Sequence, residues 1–193
     1  MGVGTLTPSG RVAIFLDRDG VLNHPVVRDG LPYPPSDVAS LRIYAGARDV
    51  LLRAKDAGFA LIVVTNQPDI ARGTQSRAVV DDINLALAGE LPVDDILVCE
   101  HDSSAGCECR KPKPGLIFQG AKRHAVALTK SFLVGDRWRD IDAGAAAGVK
   151  TILIDRGYAE RQPLHAADAR VSSLEQAITW ILEARSDANA AHV

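Results

Sequence analysis

Apolar residues along the chain fall into short continuous runs separated by longer stretches with helical spacing. Val12–Leu16, Ala60–Thr65, Ile96–Cys99, Ser131–Gly135 and Thr151–Asp155 read as strands, most of them unbroken apolar runs of the kind covered on both faces. Between them, Ala45–Ala57, Gln75–Glu90, Pro114–Ala125 and Ile141–Ala147 read as helices. Pro114 suits a first turn, and Gly58 and Gly148 suit C-terminal caps. Leu174–Ala184 predicts a last helix with Leu174, Ile178, Ile181 and Leu182 on one face. Strands alternating with helices predict an α/β fold: a parallel sheet flanked by helices, in one domain spanning 1–193 with its core at about 11–185.

Two segments break the alternation. Residues 24–41 hold four of the ten prolines without a clear period and read as a long loop lying over a site. Glu100–Pro114 carries cysteines and a basic, proline-containing run. Both ends, Met1–Gly10 and Ser186–Val193, read as poorly ordered.

Composition narrows the class. Apolar residues make up 47% and charged residues 24%, ordinary for a globular enzyme or binding domain. The formal charge of -2 lacks the basic excess expected of a nucleic-acid binder. No apolar run approaches a membrane span, and Val12–Leu16 runs straight into Asp17-Arg18-Asp19, unlike a signal peptide or anchor. The three cysteines all lie between Cys99 and Cys109, unlike a disulfide framework, so a cytoplasmic location is expected.

Ligands of parallel α/β folds sit beyond the carboxyl ends of strands, and polar residues crowd those ends. Asp17, Arg18 and Asp19 follow the first strand, Thr65, Asn66 and Gln67 end the second, and Asp136 and Arg137 follow the fourth. Asp17 and Asp19 would both face a ligand if Gly20 lets the chain turn. One carboxylate then suits a nucleophile and the other a proton shuttle, while the plain alternative is a solvated turn. Thr65 and Asn66 are phosphate donors or an ordinary turn. Asp136 suits a divalent cation supported by Asp140, or a helix cap. Arg110 and Lys111 suit a phosphate ester at a helix start, or form a solvated basic loop. Cys99, His101, Cys107 and Cys109 form C-x-H-x5-C-x-C, four donors suited to tetrahedral Zn²⁺ or else a buried thiol cluster.

D-R-D-G-V-L-N (17–23), T-N-Q (65–67), C-R-K-P-K-P-G (109–115) and G-D-x-x-x-D (135–140) occur in the order found in the haloacid dehalogenase-like phosphatases. The chain most resembles the D-glycero-D-manno-heptose 1,7-bisphosphate 7-phosphatase family, with histidinol-phosphate phosphatases as near relatives. The likeness runs from about Val12 to Asp155 and implies a Rossmann-like core without a large cap domain. It implies Asp17 as nucleophile forming an aspartyl-phosphate, and Asp19 as the acid and then the base. Thr65 and Lys111 would hold the phosphoryl group, with Arg110 and Asn66 binding substrate. Mg²⁺ would sit on Asp17, the Asp19 carbonyl and Asp136, with Asp140 in support.

The resemblance also implies a structural Zn²⁺ on Cys99, His101, Cys107 and Cys109, stiffening the 99–109 loop that presents Arg110 and Lys111. Glu100 and Asp102 stand where relatives often carry Pro and His. The implied substrate is a small phosphorylated sugar in activated-heptose synthesis, handled by a monomer without nucleic-acid or membrane partners. Histidinol phosphate is the rival substrate. A non-catalytic zinc-stabilised sugar-phosphate module is the rival of another class, and it would call for loss of Asp17 or Asp19, both of which are present. His24, Arg28 and Trp138 are weaker candidates near the site, and His124, His165 and His192 have no partner readable in the sequence.

Overall fold

A computed structural model describes residues 10–190. Six strands form one wholly parallel sheet: β1 (Ala13–Leu16), β4 (Ala60–Asn66), β5 (Asp95–Cys99), β6 (Phe132–Gly135), β7 (Lys150–Ile154) and β8 (Ala169–Val171). A separate antiparallel hairpin pairs β2 (Val26–Arg28) with β3 (Leu31–Tyr33). The sheet order β5-β4-β1-β6-β7-β8 places β1 at the point where the chain reverses its direction of travel. The crevice beyond β1, β4 and β6 is therefore where this fold seats ligands.

The unbroken apolar runs are explained by burial on two sides. Ile14 and Leu16 of β1 pack into one core cluster with Leu61 and Val63 of β4, whereas Ala13 and Phe15 join Ala60, Ile62 and Val64 in another. Alternate side chains thus enter opposite cores, as the period of two requires. Helix α1 (Ala47–Asp56) and α5 (Leu174–Ala190) contribute to the first cluster, with Leu87 of α2 (Arg77–Glu90). Helix α3 (Gly115–His124) and α4 (Trp138–Ala147) cover the second.

Several boundaries differ from expectation. Helix α4 begins at Trp138 rather than Ile141, because the carboxylate of Asp140 accepts a 3.0 Å bond from the Arg137 amide and caps the turn. Asp136 is therefore not the cap. Helix α5 continues through Ala190, so the expected disorder from Ser186 does not hold as far as that residue. Residues 1–9 and 191–193, His192 among them, lie outside the described residues. The 24–41 segment is not featureless: Asp29 and Gly30, at φ 51° and 73°, make the tight turn of the hairpin, and a 3-10 turn spans Val38–Ser40. Asp-Gly between two short strands is the residue pair such turns favour. Strand β8 was not anticipated; its Ala-Arg-Val run is too short for periodicity to register. Among the described residues, no helix is long and apolar enough to cross a membrane.

Candidate active site

The ends of β1, β4 and β6 bring the separated motifs together. Asp17 continues β1, its amide bonding to the Val134 carbonyl at 2.9 Å. Lys111 reaches in from the loop before α3 and is buried, its Nζ lying 2.7 Å from Asp17 Oδ1, 2.5 Å from Asp140 Oδ1 and 2.8 Å from the Val64 carbonyl. Asp136 follows β6, and oxygens of Asp17, Asp136 and Asp140 all lie within 4.8 Å of one another. Asp140 does more than support: one oxygen caps α4 and the other pairs with Lys111.

Two glycines allow this crowding. Gly20 sits at φ 96°, and a Cβ there would fall 1.8 Å from Asp136 Oδ2. At Gly135 a Cβ would meet that of Asp140 at 2.1 Å. The spacing of G-D-x-x-x-D thus reflects contact between its own first and last residues.

The electrostatics are strained in one direction. Burial pushes the Asp17 carboxyl up to about 6; Lys111 opposes this, while the charges of Asp140 and Asp19 add to it. Burial and then the charges of Asp17 and Asp140 hold Asp136 well above the usual carboxylate range. Burial disfavours the Lys111 ammonium, but Asp140 and Asp17 overcome that and keep it firmly protonated. Ionising all three carboxyl groups against one ammonium would leave two negative charges in excess, which is why Asp17 and Asp136 resist losing their protons. Both oxygens of Asp136 are buried and make no hydrogen bond of good geometry, although the Tyr158 hydroxyl is a donor-type neighbour. A buried carboxylate without such a bond in an oxygen-rich pocket suits a hard divalent cation.

A cavity of about 260 Å³ opens over these groups. Asp17, Asp19, Thr65, Asn66, Arg110 and Lys111 all line it, as do Leu31–Pro34 of the hairpin segment, so the 24–41 region does lie over the site. Thr65 is buried, and its hydroxyl accepts from Gln67 Nε2 at 2.8 Å. Asn66 exchanges two 3.1 Å bonds with the main chain of Lys111, so its amide fastens the lysine's segment while the residue also lines the cavity. Arg110 donates to the His101 carbonyl at 3.2 Å.

Sequence reading missed Arg72, Arg139 and Glu160, and placed Arg137 at a strand end without giving it a role; all four also line the cavity. Arg137 and Arg139 lie inside the G-D-x-x-x-D motif and were legible there. Glu160, which binds the Arg137 guanidinium through two nitrogens, comes from the loop after β7 and carries no local signal.

The cysteine motif also converges. Cys109 Sγ lies 3.2 Å from Cys99 Sγ, 3.4 Å from Cys107 Sγ and 3.3 Å from His101 Nδ1, and Cys99 Sγ lies 3.7 Å from both Cys107 Sγ and His101 Nδ1. The edge of a tetrahedron built on zinc–sulfur bonds is roughly 3.8 Å. The four donors therefore need only a small outward shift to surround such an ion.

The weaker candidates have ordinary partners. His124 and His165 pair with Asp95 and Asp142. His24 packs against Tyr44 with the rings tilted by 41°, and Arg28 lies over Tyr33 within the hairpin. Trp138 is flanked by the guanidinium groups of Arg139 and Arg161.

Comparison with known proteins agrees with the geometry. The HAD-hydrolase-like family matches residues 108–177. A D-glycero-beta-D-manno-heptose-1,7-bisphosphate 7-phosphatase of Helicobacter pylori strain J99 is 33% identical over 88% of this chain and 96% of its own. The protein of that name from Escherichia coli K12 is 31% identical over 91% and 90%. The crystal structure of a D,D-heptose 1,7-bisphosphate phosphatase from B. bronchiseptica, complexed with magnesium and phosphate, superposes with a TM-score of 0.75 at 29% identity, covering 89% of this chain and 98% of that one. With its motifs meeting at the switch point of the same fold, the chain belongs to the heptose-1,7-bisphosphate 7-phosphatase family of haloacid dehalogenase-like phosphatases.

Proposed function

We propose that this protein hydrolyses the 7-phosphate of D-glycero-D-manno-heptose 1,7-bisphosphate, with the β anomer named in its relatives as the preferred form. The observation that carries the chemistry is the buried meeting of Asp17 with Lys111 and with Asp136, beside a cavity that Asp17 and Lys111 line. Asp17 attacks phosphorus, and the bond to the sugar oxygen breaks as Asp19 gives that oxygen a proton. Asp19 then takes a proton from the water that attacks the aspartyl-phosphate, releasing phosphate and restoring Asp17. Lys111 and Thr65 hold the phosphoryl oxygens. Mg²⁺ would be held by Asp17, the Asp19 carbonyl and Asp136, and when bound it offsets the charge shared by carboxylates and phosphate.

Arg72 and Arg137 are paired with Asp69 and Glu160, but Arg110 and Arg139 line the cavity with no carboxylate partner among the described residues and favour a second phosphate on the substrate. Histidinol phosphate carries an ammonium group, which would meet like charge there. Cys99, His101, Cys107 and Cys109 would bind a structural Zn²⁺, leaving no position open for substrate and fixing the segment that leads into Arg110 and Lys111.

Phosphate release with Mg²⁺ from both heptose anomers and from histidinol phosphate tests this reading, with Asp17→Asn as control. Preference for a heptose bisphosphate and an inactive, folded control are expected. Preference for histidinol phosphate would overturn the substrate, and an active control would overturn the nucleophile.

A further inference from the structure

Among the described residues, Arg18 is the largest side chain with no exposed surface, and the chemistry above does not use it. The sequence places it among the polar residues that follow β1, between the two carboxylates expected to face a ligand. Its guanidinium turns inward beneath the neighbouring Asp19. Nε lies 3.2 Å from both oxygens of the Asp19 carboxylate, and Nη2 lies 3.0 Å from Oδ2. Its Nη1 donates to Asn84 Oδ1 at 2.7 Å. Asn84 lies on the buried face of α2 beside Val80, Ile83 and Leu87, where an apolar residue would ordinarily sit. The Arg18 carbonyl accepts from the amides of Leu22 and Asn23, which closes the turn that makes this reversal possible.

A fully buried guanidinium is costly unless its donors are matched, so such an arrangement needs a return elsewhere. The partner indicates what that return is. Asp19 has a short side chain on a turn and lines the same cavity as Asp17, whose charge repels it. Asn23 Nδ2 at 3.0 Å and Gln67 Nε2 at 2.9 Å hold it from other directions, but both are neutral. Arg18 is the only charged donor on that carboxylate among the described residues.

We propose that Arg18, anchored by Asn84, is a positioning residue that fixes the Asp19 carboxylate for proton transfer. The inference rests on the reading of Asp19 as acid and base. It makes the polar patch on α2 part of the catalytic apparatus at one remove. Loss of Arg18 leaves substrate binding largely intact and slows turnover, since a proton donor displaced by about 1 Å loses on the order of 100-fold.

A double-mutant cycle on kcat and KM tests the proposal, using Arg18→Met, Asp19→Asn and the pair with heptose 1,7-bisphosphate. Arg18→Met is expected to lower kcat by roughly 30-fold with KM within about twofold, and to cost less than about threefold more in the Asp19→Asn background. Arg18→Lys restores part of the loss. Should Arg18→Met not fold, Asn84→Ala removes only the anchor and gives the same pattern, about fivefold in kcat. Equal losses with and without Asp19, or a loss confined to KM or thermal stability, would overturn the positioning role. An Asp19→Asn variant with unchanged kcat would instead remove the acid–base reading on which it rests.

Discussion

Replacing Gly20 with alanine adds one methyl group and removes no chemical function, yet the geometry predicts a severe defect. The new Cβ would lie 1.8 Å from Asp136 Oδ2 and 2.5 Å from its Cγ, so the carboxylate must retreat by more than about 1 Å. A left-handed φ of 96° adds strain of about 1–2 kcal/mol for any residue with a Cβ. Displacement on that scale costs on the order of 100-fold in rate, or about 2.7 kcal/mol of barrier. Gly148 provides the control: it also has a positive φ, 74°, but a Cβ there meets nothing within 4 Å. Gly148→Ala should therefore lower the melting temperature by about 2–6 °C through strain alone and leave turnover unchanged. Gly20→Ala should lose more stability than that, because the overlap adds to the strain, fall about 100-fold in kcat/KM and need markedly more Mg²⁺ for half-maximal activity. Phosphate release across a Mg²⁺ titration, with melting curves for both variants, reads all three quantities. A folded Gly20→Ala protein with normal kcat/KM and normal Mg²⁺ dependence would refute the assignment of Asp136.

Lys111→Met strands the buried carboxylates of Asp17 and Asp140, so it should abolish turnover and cost about 3–5 kcal/mol, seen as a lower urea midpoint. Cys107→Ser should reduce zinc content measured by atomic absorption and lower the melting temperature; unchanged zinc stoichiometry would exclude the four-donor site. Asp142 is buried, and although burial alone would raise its pKa, bonds from His165, Arg161 and the Leu164 amide hold it below the usual carboxylate range. Its contribution of about 1.5–3 kcal/mol is therefore full above the unfolded value near 3.9 and disappears as pH falls through the lower folded value. Asp142→Asn should be less stable than the parent at pH 7, with the gap closing in strong acid; a gap that widened there would reverse the sign.

The chain itself determined a good deal. Continuous apolar runs marked five of the six strands, because strands buried on both faces have no polar side to interrupt them. The residues just past those runs marked most of the site, since in a parallel sheet all carboxyl ends share one edge. Asp17 and Asp136 were picked out this way, and Lys111 by the basic run just before a helix start, without knowledge of any contact. The Cys-x-His-x5-Cys-x-Cys spacing likewise foretold a cluster, because short loops bring near neighbours together.

Only the tertiary structure decided how each side chain is spent. Asn66 binds the backbone of Lys111, Asp140 divides itself between a helix cap and an ammonium, and Arg18 turns away from the ligand toward Asn84. The helix cap is local, with Arg137 three residues from Asp140, but the other outcomes do not follow from local sequence, since those partners stand 45, 29 and 66 residues away. Periodicity fixes the face a side chain takes within a strand or helix, but beyond the last strand residue its direction depends on what the rest of the fold places nearby. Glu160 makes the same point: nothing around it distinguishes it until packing sets it against Arg137.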